Sequence, residues 1–355
     1  MNNLEKYGAS ERYIMEATMY QDSFLGRVVT QYKDYYLVAT NKGEFLAEVS
    51  GKFIHDAYLK EDYPAVGDFI MVDREEDSTG NLIINKVLKR KSVFQRKAAG
   101  KNQENQIIAA NIDLIFICIS LNANFSLSRI ERYLSAAWES GAKPVIVLTK
   151  ADLCEDVDSY IKQVESIALD TPIVSTTVTE QKSLEPIRNM INSQTTVSLV
   201  GSSGVGKSTL INSLLGKDVI KTNDIRDDDK GKHTTTRREL FVLPTGGVFI
   251  DTPGMREFGV DTVDLEKTFT DIDDLIGMCK FNDCTHTNEP GCAVLKAIKD
   301  GTLDERRFQN YLKLQKEARY EGLSSKEVEK VKLDTMFASY GGMKKARKAI
   351  KKKRP

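Results

Sequence analysis

The chain has 355 residues, enough for two or three domains that each bury a core. It carries 51 Lys and Arg against 51 Asp and Glu, so its formal net charge is zero. That balance excludes a protein that binds polyanions over its whole surface, and any nucleic-acid contact must be local. The sequence starts without an apolar signal region and has no stretch long enough to span a membrane. We therefore expect a cytoplasmic protein with no membrane partner, whose cysteines stay reduced.

Short β-rich segments separated by turn residues follow an N-terminal extension at 1–22. They lie at 25–32, 35–40, 44–49, 69–72 and 82–88. Gly43 and Gly67 are among the turn residues between them. Five short strands predict a small β-barrel over 23–95, for which an OB-fold is the natural candidate.

Aromatic and basic residues of this region could bind single-stranded nucleic acid, as they do in many OB-folds. The candidates are Tyr32, Lys33, Tyr35, Tyr36 and Phe45. On composition alone, the alternative that these aromatics form strands and core is favoured. A basic stretch from Lys86 to Lys101 leads into a predicted linker over 96–111, which faces either a phosphate backbone or solvent.

Strands that alternate with helices predict a doubly wound α/β domain over 112–262. Apolar runs at 113–121 and 144–148 indicate two of its buried strands, and ligands of such sheets bind at the carboxyl ends of the strands. Directly after the second run comes the segment Thr149-Lys150-Ala151-Asp152.

This tetrapeptide resembles the N-K-x-D motif that recognises guanine. The carboxylate of Asp152 can accept hydrogen bonds from guanine N1–H and the 2-amino group, a donor pair that adenine lacks. The stem of Lys150 can lie against the base. Ser175 and Thr176 come where GTPases have a loop at the base edge, although a Ser/Thr cluster is usually just a turn.

A glycine-rich segment downstream matches the phosphate-binding pattern G-x-x-x-x-G-K-[ST]. It reads Gly201-Ser202-Ser203-Gly204-Val205-Gly206-Lys207-Ser208-Thr209. An apolar run precedes it and helically spaced apolar residues follow it up to Gly216, which is the strand–loop–helix context that this motif requires. Backbone N–H groups would surround the phosphates, Lys207 would reach the β- and γ-phosphates, and Ser208 would ligate Mg²⁺.

Two later segments have the pattern of nucleotide-sensing switches. Residues 223–232 are polar and without periodicity, and Thr234 or Thr235 just beyond them could complete the Mg²⁺ shell. A D-x-x-G motif then follows an apolar run, in which Asp251 would hold Mg²⁺ through water and the Gly254 amide would contact the γ-phosphate. Its position downstream of a P-loop argues against a plain β-turn.

The order of these motifs is permuted. An ordinary GTPase runs from the P-loop through the switches to N-K-x-D and the base-edge loop, whereas here the last two come first. Such a permutation keeps the site if the original termini lie close together. It also puts both ends of the domain beside other domains, so a nucleotide-driven motion could move both.

A cluster of metal-binding residue types lies in the C-terminal part, predicted as a mainly helical domain over 263–320. It consists of Cys279, Cys284, His286 and Cys292. Three Cys and one His form a complete tetrahedral set for one structural Zn²⁺, whereas a disulfide suits a reducing compartment poorly and leaves one Cys over. Cys118, within a predicted buried strand, is interpreted as a packing residue, and Cys154, which follows the base motif, is assigned no chemistry. The basic tail at 321–355 either binds RNA phosphates or is a disordered solubilising segment.

The motifs in this order, with the zinc cluster, resemble the RsgA family (also called YjeQ or YloQ), the circularly permuted GTPases of bacterial small-ribosomal-subunit assembly. The resemblance covers 26–316, and the matching segments are 106–113, 149–153, 201–209, 231–236, 251–254 and 279–292. It implies an N-terminal OB-fold, a permuted GTPase domain and a zinc domain. It further implies that GTP is hydrolysed to GDP and phosphate in late 30S maturation, with stimulation by the 30S subunit and 16S rRNA as a partner. Thr149 stands where the family usually has Asn.

The catalytic group is not evident from the D-x-x-G motif. Met255 follows that motif where many GTPases have a Gln, and a thioether cannot align the attacking water. His233 is the nearest candidate, because an imidazole can orient or deprotonate water; the alternative is that the partner supplies the group.

Other function classes stay open at this stage. One is a nucleotide-gated RNA-binding switch with incidental hydrolysis that acts on another RNA or on assembled ribosomes. A further alternative is a P-loop ATPase or small-molecule kinase, and the guanine-type segment at 149–152 argues against it. We expect a monomer.

Overall fold

The computed structural model describes residues 3–78, 80–97, 105–122, 125–177, 179–218, 238–251, 265–319 and 330. Within that part of the chain, no helix is both long and apolar enough to cross a membrane. The strands form one continuous sheet, which runs from the N-terminal barrel into the α/β domain, and a separate two-stranded hairpin.

The N-terminal barrel is closed, as predicted. Its strands are β1 (Phe24–Gln31), β2 (Tyr36–Ala39), β3 (Glu44–Val49), β4 (Phe69–Val72) and β5 (Leu82–Val87). They pair in the order β1-β2-β3-β5-β4, and β4 returns to β1, which leaves no free edge. A short helix, α3 (Gly51–Asp56), follows β3 and begins at the Ser50 cap. Tyr36 is buried in the barrel core and Phe45 packs against it, whereas Tyr35 is exposed.

The N-terminal extension is helical and packs into the core of the protein. Its two helices are α1 (Asn3–Lys6) and α2 (Glu11–Ala17). Leu4, Ala9 and Tyr13 are buried in a core that also contains Phe69 of the barrel and Ile115 of the α/β sheet. The extension therefore joins the barrel to the next domain.

The segment predicted as a linker contains a β-hairpin. Strand β6 (Val93–Lys97) pairs antiparallel with β7 (Asn105–Ala110). The apolar residues 107–110 are all buried. The sequence did not predict this hairpin, because a conspicuous run of polar and basic residues precedes the short apolar run.

The α/β sheet has the predicted doubly wound form. In chain order its elements are β8 (Leu114–Ser120), α4 (Leu127–Glu139), β9 (Lys143–Thr149), α5 (Val157–Glu165), β10 (Ile173–Ser175), α6 (Glu185–Asn189), β11 (Thr196–Val200), α7 (Lys207–Leu215), β12 (Glu239–Val242) and β13 (Val248–Asp251). The strand order is β10-β9-β8-β11-β13-β12, parallel except for β12. Successive residues of β8 face opposite sides: Ile117 packs with residues of α4 and α5, and Phe116 with residues of α6 and α7.

The C-terminal part is helical, as predicted. Its helices are α8 (Leu265–Thr268), α9 (Thr270–Gly277), α10 (Ala293–Lys299) and α11 (Glu305–Arg319). They enclose their own core, which includes Phe269, Val294, Phe308 and Leu314. This unit packs against α4 of the α/β domain through a buried polar cluster that is described below.

Candidate functional site

The glycine-rich loop has the backbone that a phosphate cradle requires. It leaves the carboxyl end of β11 and enters α7, with Gly201, Gly204 and Gly206 at φ of 144°, 76° and 95°. A Cβ on Gly201 would lie 2.3 Å from the carbonyl oxygen of Cys118, so no other residue fits there. The loop thus passes close to strand β8 at Cys118 and leads into the N-terminus of α7, where backbone N–H groups can bind phosphate.

The lysine of this loop is held inside it. The Lys207 Nζ donates to the carbonyl oxygens of Gly201 at 2.5 Å and Ser202 at 2.6 Å, and the side chain is buried. Ser208 and Thr209 follow in the first turn of α7 and are partly exposed. The structure therefore brings an ammonium, a helix N-terminus and a hydroxyl to one place, as the motif predicts.

The Thr149 hydroxyl connects the base-recognition segment to the phosphate loop. Its Oγ1 lies 2.6 Å from the carbonyl oxygen of Val205, to which it donates, and the side chain is buried at the end of β9. One hydrogen-bond donor is enough for this contact, so the departure from Asn leaves the two loops joined.

The rest of the base-recognition segment is shaped by its backbone. Lys150 has φ 58°, a left-handed conformation uncommon outside glycine, and Asp152 is exposed in the short turn that follows. The N–H of Ala151 donates to the Thr176 carbonyl at 3.3 Å, and the N–H of Thr176 donates to Leu148 at 2.8 Å. The predicted base-edge loop is therefore adjacent to the segment at 149–152.

The remaining nucleotide-site predictions fall partly outside the described residues. Asp251 ends β13, the strand parallel to β11, and is buried. It therefore lies at the same sheet edge as the phosphate loop. The predictions outside the described residues are His233, Thr234, Thr235 and Gly254.

Cys118 has no nucleophilic role in this arrangement. It is fully buried in β8, and burial raises the pKa of its thiol to about 12. The thiol thus stays protonated at neutral pH, in agreement with a packing role.

The three cysteines and the histidine of the C-terminal cluster converge. Their ligand atoms all lie within 4.8 Å of one another. The Cys279 Sγ is 3.6 Å from the His286 Nδ1 and 3.9 Å from the Cys292 Sγ, which is 3.4 Å from the same Nδ1. A tetrahedral zinc with bonds of about 2.3 Å needs ligand separations of about 3.8 Å, so these distances fit the ion. A disulfide would require sulfurs about 2.0 Å apart, and all the cysteines are free.

The surrounding backbone supports this cluster. Cys292 caps α10, and its Sγ accepts a hydrogen bond from the N–H of Leu295 at 3.4 Å. The Glu289 carboxylate shapes the loop by accepting from the Thr285 hydroxyl and from the backbone N–H groups of Thr285 and Thr287. These hydrogen bonds hold the pKa of Glu289 well below its usual range. The His286 ring also packs edge-on against Phe308 of the C-terminal core, with centroids 6.0 Å apart.

A buried polar cluster, which the sequence did not predict, lies between the α/β domain and the C-terminal helices. Glu131 of α4 is fully buried and accepts from Arg307 at 2.9 Å, Arg306 at 3.2 Å and Asn310 at 2.5 Å. Arg307 also donates to the carbonyl of Thr268, the last residue of α8. The available signal was a carboxylate on the apolar face of α4, between Ile130 and Leu134.

The family model for RsgA GTPase matches residues 87–261. A model described as ABC transporter matches 184–343, a stretch that includes the P-loop.

Among curated proteins, small ribosomal subunit biogenesis GTPase RsgA 2 of Lactiplantibacillus plantarum is 46% identical over 97% of this chain and 97% of its own length. The RsgA 1 protein of Oceanobacillus iheyensis is 49% identical over 84% of this chain and 86% of its own.

Two solved structures have the same architecture. YjeQ from Thermotoga maritima superposes with a TM-score of 0.63 at 26% identity, over 85% of this chain and 100% of the other. YloQ, described as a circularly permuted GTPase, superposes with a TM-score of 0.61 over 86% of this chain and 98% of its own. Its identity of 22% is evidence of fold alone.

Proposed function

We propose, from the finding that this chain belongs to the RsgA family of GTP-hydrolysing enzymes, that its hydrolysis serves late maturation of the small ribosomal subunit and is stimulated by that subunit. The observation that carries the proposal is the name of the relative that is 46% identical over 97% of both chains, small ribosomal subunit biogenesis GTPase. GTP and GDP are the nucleotide ligands in this proposal, and 16S rRNA is the macromolecular partner.

The nucleotide would lie along the carboxyl edge of the α/β sheet. In this arrangement the loop amides of 201–206 and the Lys207 ammonium bind the β- and γ-phosphates, and Asp152 receives the guanine edge. Bound Mg²⁺ would neutralise charge at the phosphates. This chain offers it Ser208, Asp251 through water, and Thr234 or Thr235, and the Gly254 amide would contact the γ-phosphate. The alignment of these groups at one edge supports the assignment.

We assign the chain to an N-terminal extension (1–22), an OB-fold (23–95), a connecting segment (96–111), a permuted GTPase domain (112–262), a zinc domain (263–320) and a basic tail (321–355). The connecting segment contributes one strand of the hairpin and part of the other. In the zinc domain, one Zn²⁺ would be held by the four ligands of the cluster, whose spacing fits a closed tetrahedral site without room for substrate. Its contribution is to folding.

The proposal is tested by GTP turnover of the full chain alone, with purified small subunits, and with purified large subunits. We expect small subunits to raise the rate well above that of the protein alone and large subunits to leave it unchanged. Equal rates in the three conditions would refute the proposal.

Exchanging Asp152 for Asn should weaken GTP binding by about tenfold or more, because the new amide donates where the carboxylate accepted. The same variant should gain affinity for xanthine nucleotides, whose base offers an acceptor at that edge. Titration of both nucleotides by fluorescence measures the change. Asp158→Asn, an exposed carboxylate on α5, is the matched control. Unchanged GTP affinity in Asp152→Asn would mean that this motif does not contact the base.

His233→Ala should keep nearly the full GTP affinity but lose most of the subunit-stimulated rate, by about 10²-fold, if the imidazole orients the attacking water. Single-turnover hydrolysis on saturating small subunits measures this rate. His55→Ala controls for the loss of a histidine, since His55 is exposed on the barrel. A His233→Ala variant stimulated like the parent would assign the catalytic group to the partner.

A further inference from the structure

Strand β1 of the barrel also belongs to the sheet of the GTPase domain. Thr30 near its end pairs with Glu239, the first residue of β12. Glu239 in turn pairs with Asp251, the first residue of the D-x-x-G motif. Neighbouring strands in such a ladder are about 5 Å apart, so two rungs, or about 10 Å, separate a barrel residue from the nucleotide site.

A second contact joins the same strand to the phosphate loop. Arg27 of β1 is fully buried and donates from its Nη2 to the Oγ1 of Thr196 at 2.8 Å. Thr196 is the first residue of β11, the strand that runs directly into Gly201. Arg27 also donates to the carbonyls of Gly67 and Tyr7, so one guanidinium connects the barrel, the N-terminal extension and the GTPase sheet.

The hydrogen-bond acceptors of the Arg27 guanidinium are neutral groups. Burial lowers its pKa to about 10, which leaves it protonated at neutral pH. The carboxylates of Asp113 and Asp68 raise this pKa electrostatically, but they form their ion pairs elsewhere, Asp68 with Arg90 at 2.7 Å and Asp113 with Lys91 at 2.5 Å. A buried cation with only carbonyl and hydroxyl acceptors depends on their alignment, so a shift of β1 against β11 would be costly and would be transmitted.

At the other end of β1, the described pairing with β12 is short. The described residues show one pair between β1 and β12, whereas β1 makes four pairs with β2 and four with β4. The Thr30 hydroxyl at this junction is buried and has no hydrogen-bond partner among the residues that the structure describes. In the part of the chain that the structure describes, fewer residue pairs therefore oppose a change of register at this junction than within the barrel.

We propose that Arg27 is a positioning residue for stimulated GTP hydrolysis, which transmits displacement of the barrel through Thr196 to the phosphate loop and through the Thr30–Glu239–Asp251 rungs to the D-x-x-G motif. The inference rests on the proposed function, because a partner such as the small subunit must displace the barrel. The ligand-binding side chains remain those already assigned; Arg27 acts on them through the strands.

Thr196→Val is the most informative variant. It keeps the shape and the backbone of β11 but removes the oxygen that Arg27 contacts, and it leaves the barrel and the phosphate loop intact. We expect unstimulated turnover and the KM for GTP to stay within about twofold of the parent. The subunit-stimulated kcat should fall about tenfold. Thr196→Ser, which restores the hydroxyl, should recover the stimulation.

A double-mutant cycle distinguishes coupling from general damage. Arg27→Lys cannot reach all three acceptors and should lose stimulation as Thr196→Val does, and the double variant should be no worse than either, because both remove one contact. Val28→Ala, in the barrel core of the same strand, should lower the thermal midpoint without a selective loss of stimulation. Normal stimulation of Thr196→Val, or additive losses in the cycle, would overturn the inference.

A measurement without ribosomes separates this inference from the proposed function. Hydrogen exchange of 24–31 is compared with GDP and with a non-hydrolysable GTP analogue bound. We expect the nucleotide to change the exchange of β1 in the parent and not in Thr196→Val. If the hydrogen exchange of β1 is the same with GDP and with the GTP analogue, the inference is overturned, even if subunits stimulate the enzyme. If small subunits do not change the GTP turnover of the parent, the proposed function is refuted. A nucleotide effect on the exchange of β1 would still support coupling between the barrel and the nucleotide site.

Discussion

Lys207→Met is expected to lower GTP turnover by about 10²- to 10³-fold, the range seen when one preorganised donor to a developing charge is removed. The Lys207 ammonium is held inside the phosphate loop by two carbonyl oxygens at 2.5 and 2.6 Å. It therefore lies inside the loop that would receive the β- and γ-phosphates. Methionine keeps most of the volume and removes the charge.

The fold should survive this change. A buried charge replaced by an apolar side chain of similar size often costs little stability, so we expect only a small shift of the thermal midpoint. Lys182→Met, at an exposed position of the same domain, is the control and should turn over GTP like the parent. The measurements are steady-state phosphate release and nucleotide affinity for the two variants. A Lys207→Met protein with near-normal kcat would mean that the loop does not hold the reacting phosphates.

The phosphate loop could be predicted from sequence because its requirements are local. Three glycines with positive φ and a lysine after them are dictated by the backbone of a strand–loop–helix turn, and the structure has all of them. The closed barrel was predictable for a similar reason, since each strand and turn has its own residue pattern. Thr149 shows the limit: its departure from the family pattern was visible, but the contact with Val205 that explains it spans 56 residues.

Contacts between distant residues account for what the sequence did not predict. Arg27 and Thr196 are 169 residues apart, and Glu131 and Arg307 are 176 apart. A single buried ion has no periodicity, and in a sequence it cannot be told from a solvated one until the surrounding elements are known. The hairpin of β6 and β7 was missed because a polar run of residues precedes its short buried strand. The N-terminal extension was left without a role because its few apolar residues are buried by two other domains at once.

The Glu131 cluster fixes the C-terminal unit against α4 of the GTPase domain. Arg307 binds both Glu131 of α4 and the carbonyl of Thr268, and the Thr268 hydroxyl accepts a hydrogen bond from Ser135 at 2.9 Å. In the sequence this unit follows the D-x-x-G motif, and its first described helix, α8, is held beside α4 by these contacts. The described contacts therefore join the C-terminal core to the GTPase domain on the side of α4.

Cys284→Ala is expected to remove the zinc and unfold much of the C-terminal unit while GTP binding persists. Structural zinc contributes about 10–16 kcal/mol in small finger peptides, more than a core of this size can replace. Cys284 is preferable to Cys292, because Cys292 also caps α10 and its loss would weaken that helix even without metal. Cys154→Ala, a partly buried cysteine outside the cluster, is the control.

Three measurements test this expectation. Metal analysis should find about one zinc per parent chain, as one tetrahedral site requires, and almost none in Cys284→Ala. Hydrogen exchange should rise across 279–299, where the ligands and α10 lie, and less in α11, which Glu131 still holds against α4. GTP affinity should remain, because the nucleotide groups lie on the other domain. Absence of zinc from the parent would refute the metal assignment, whereas zinc loss without increased exchange would show that the helical core is stable without the ion.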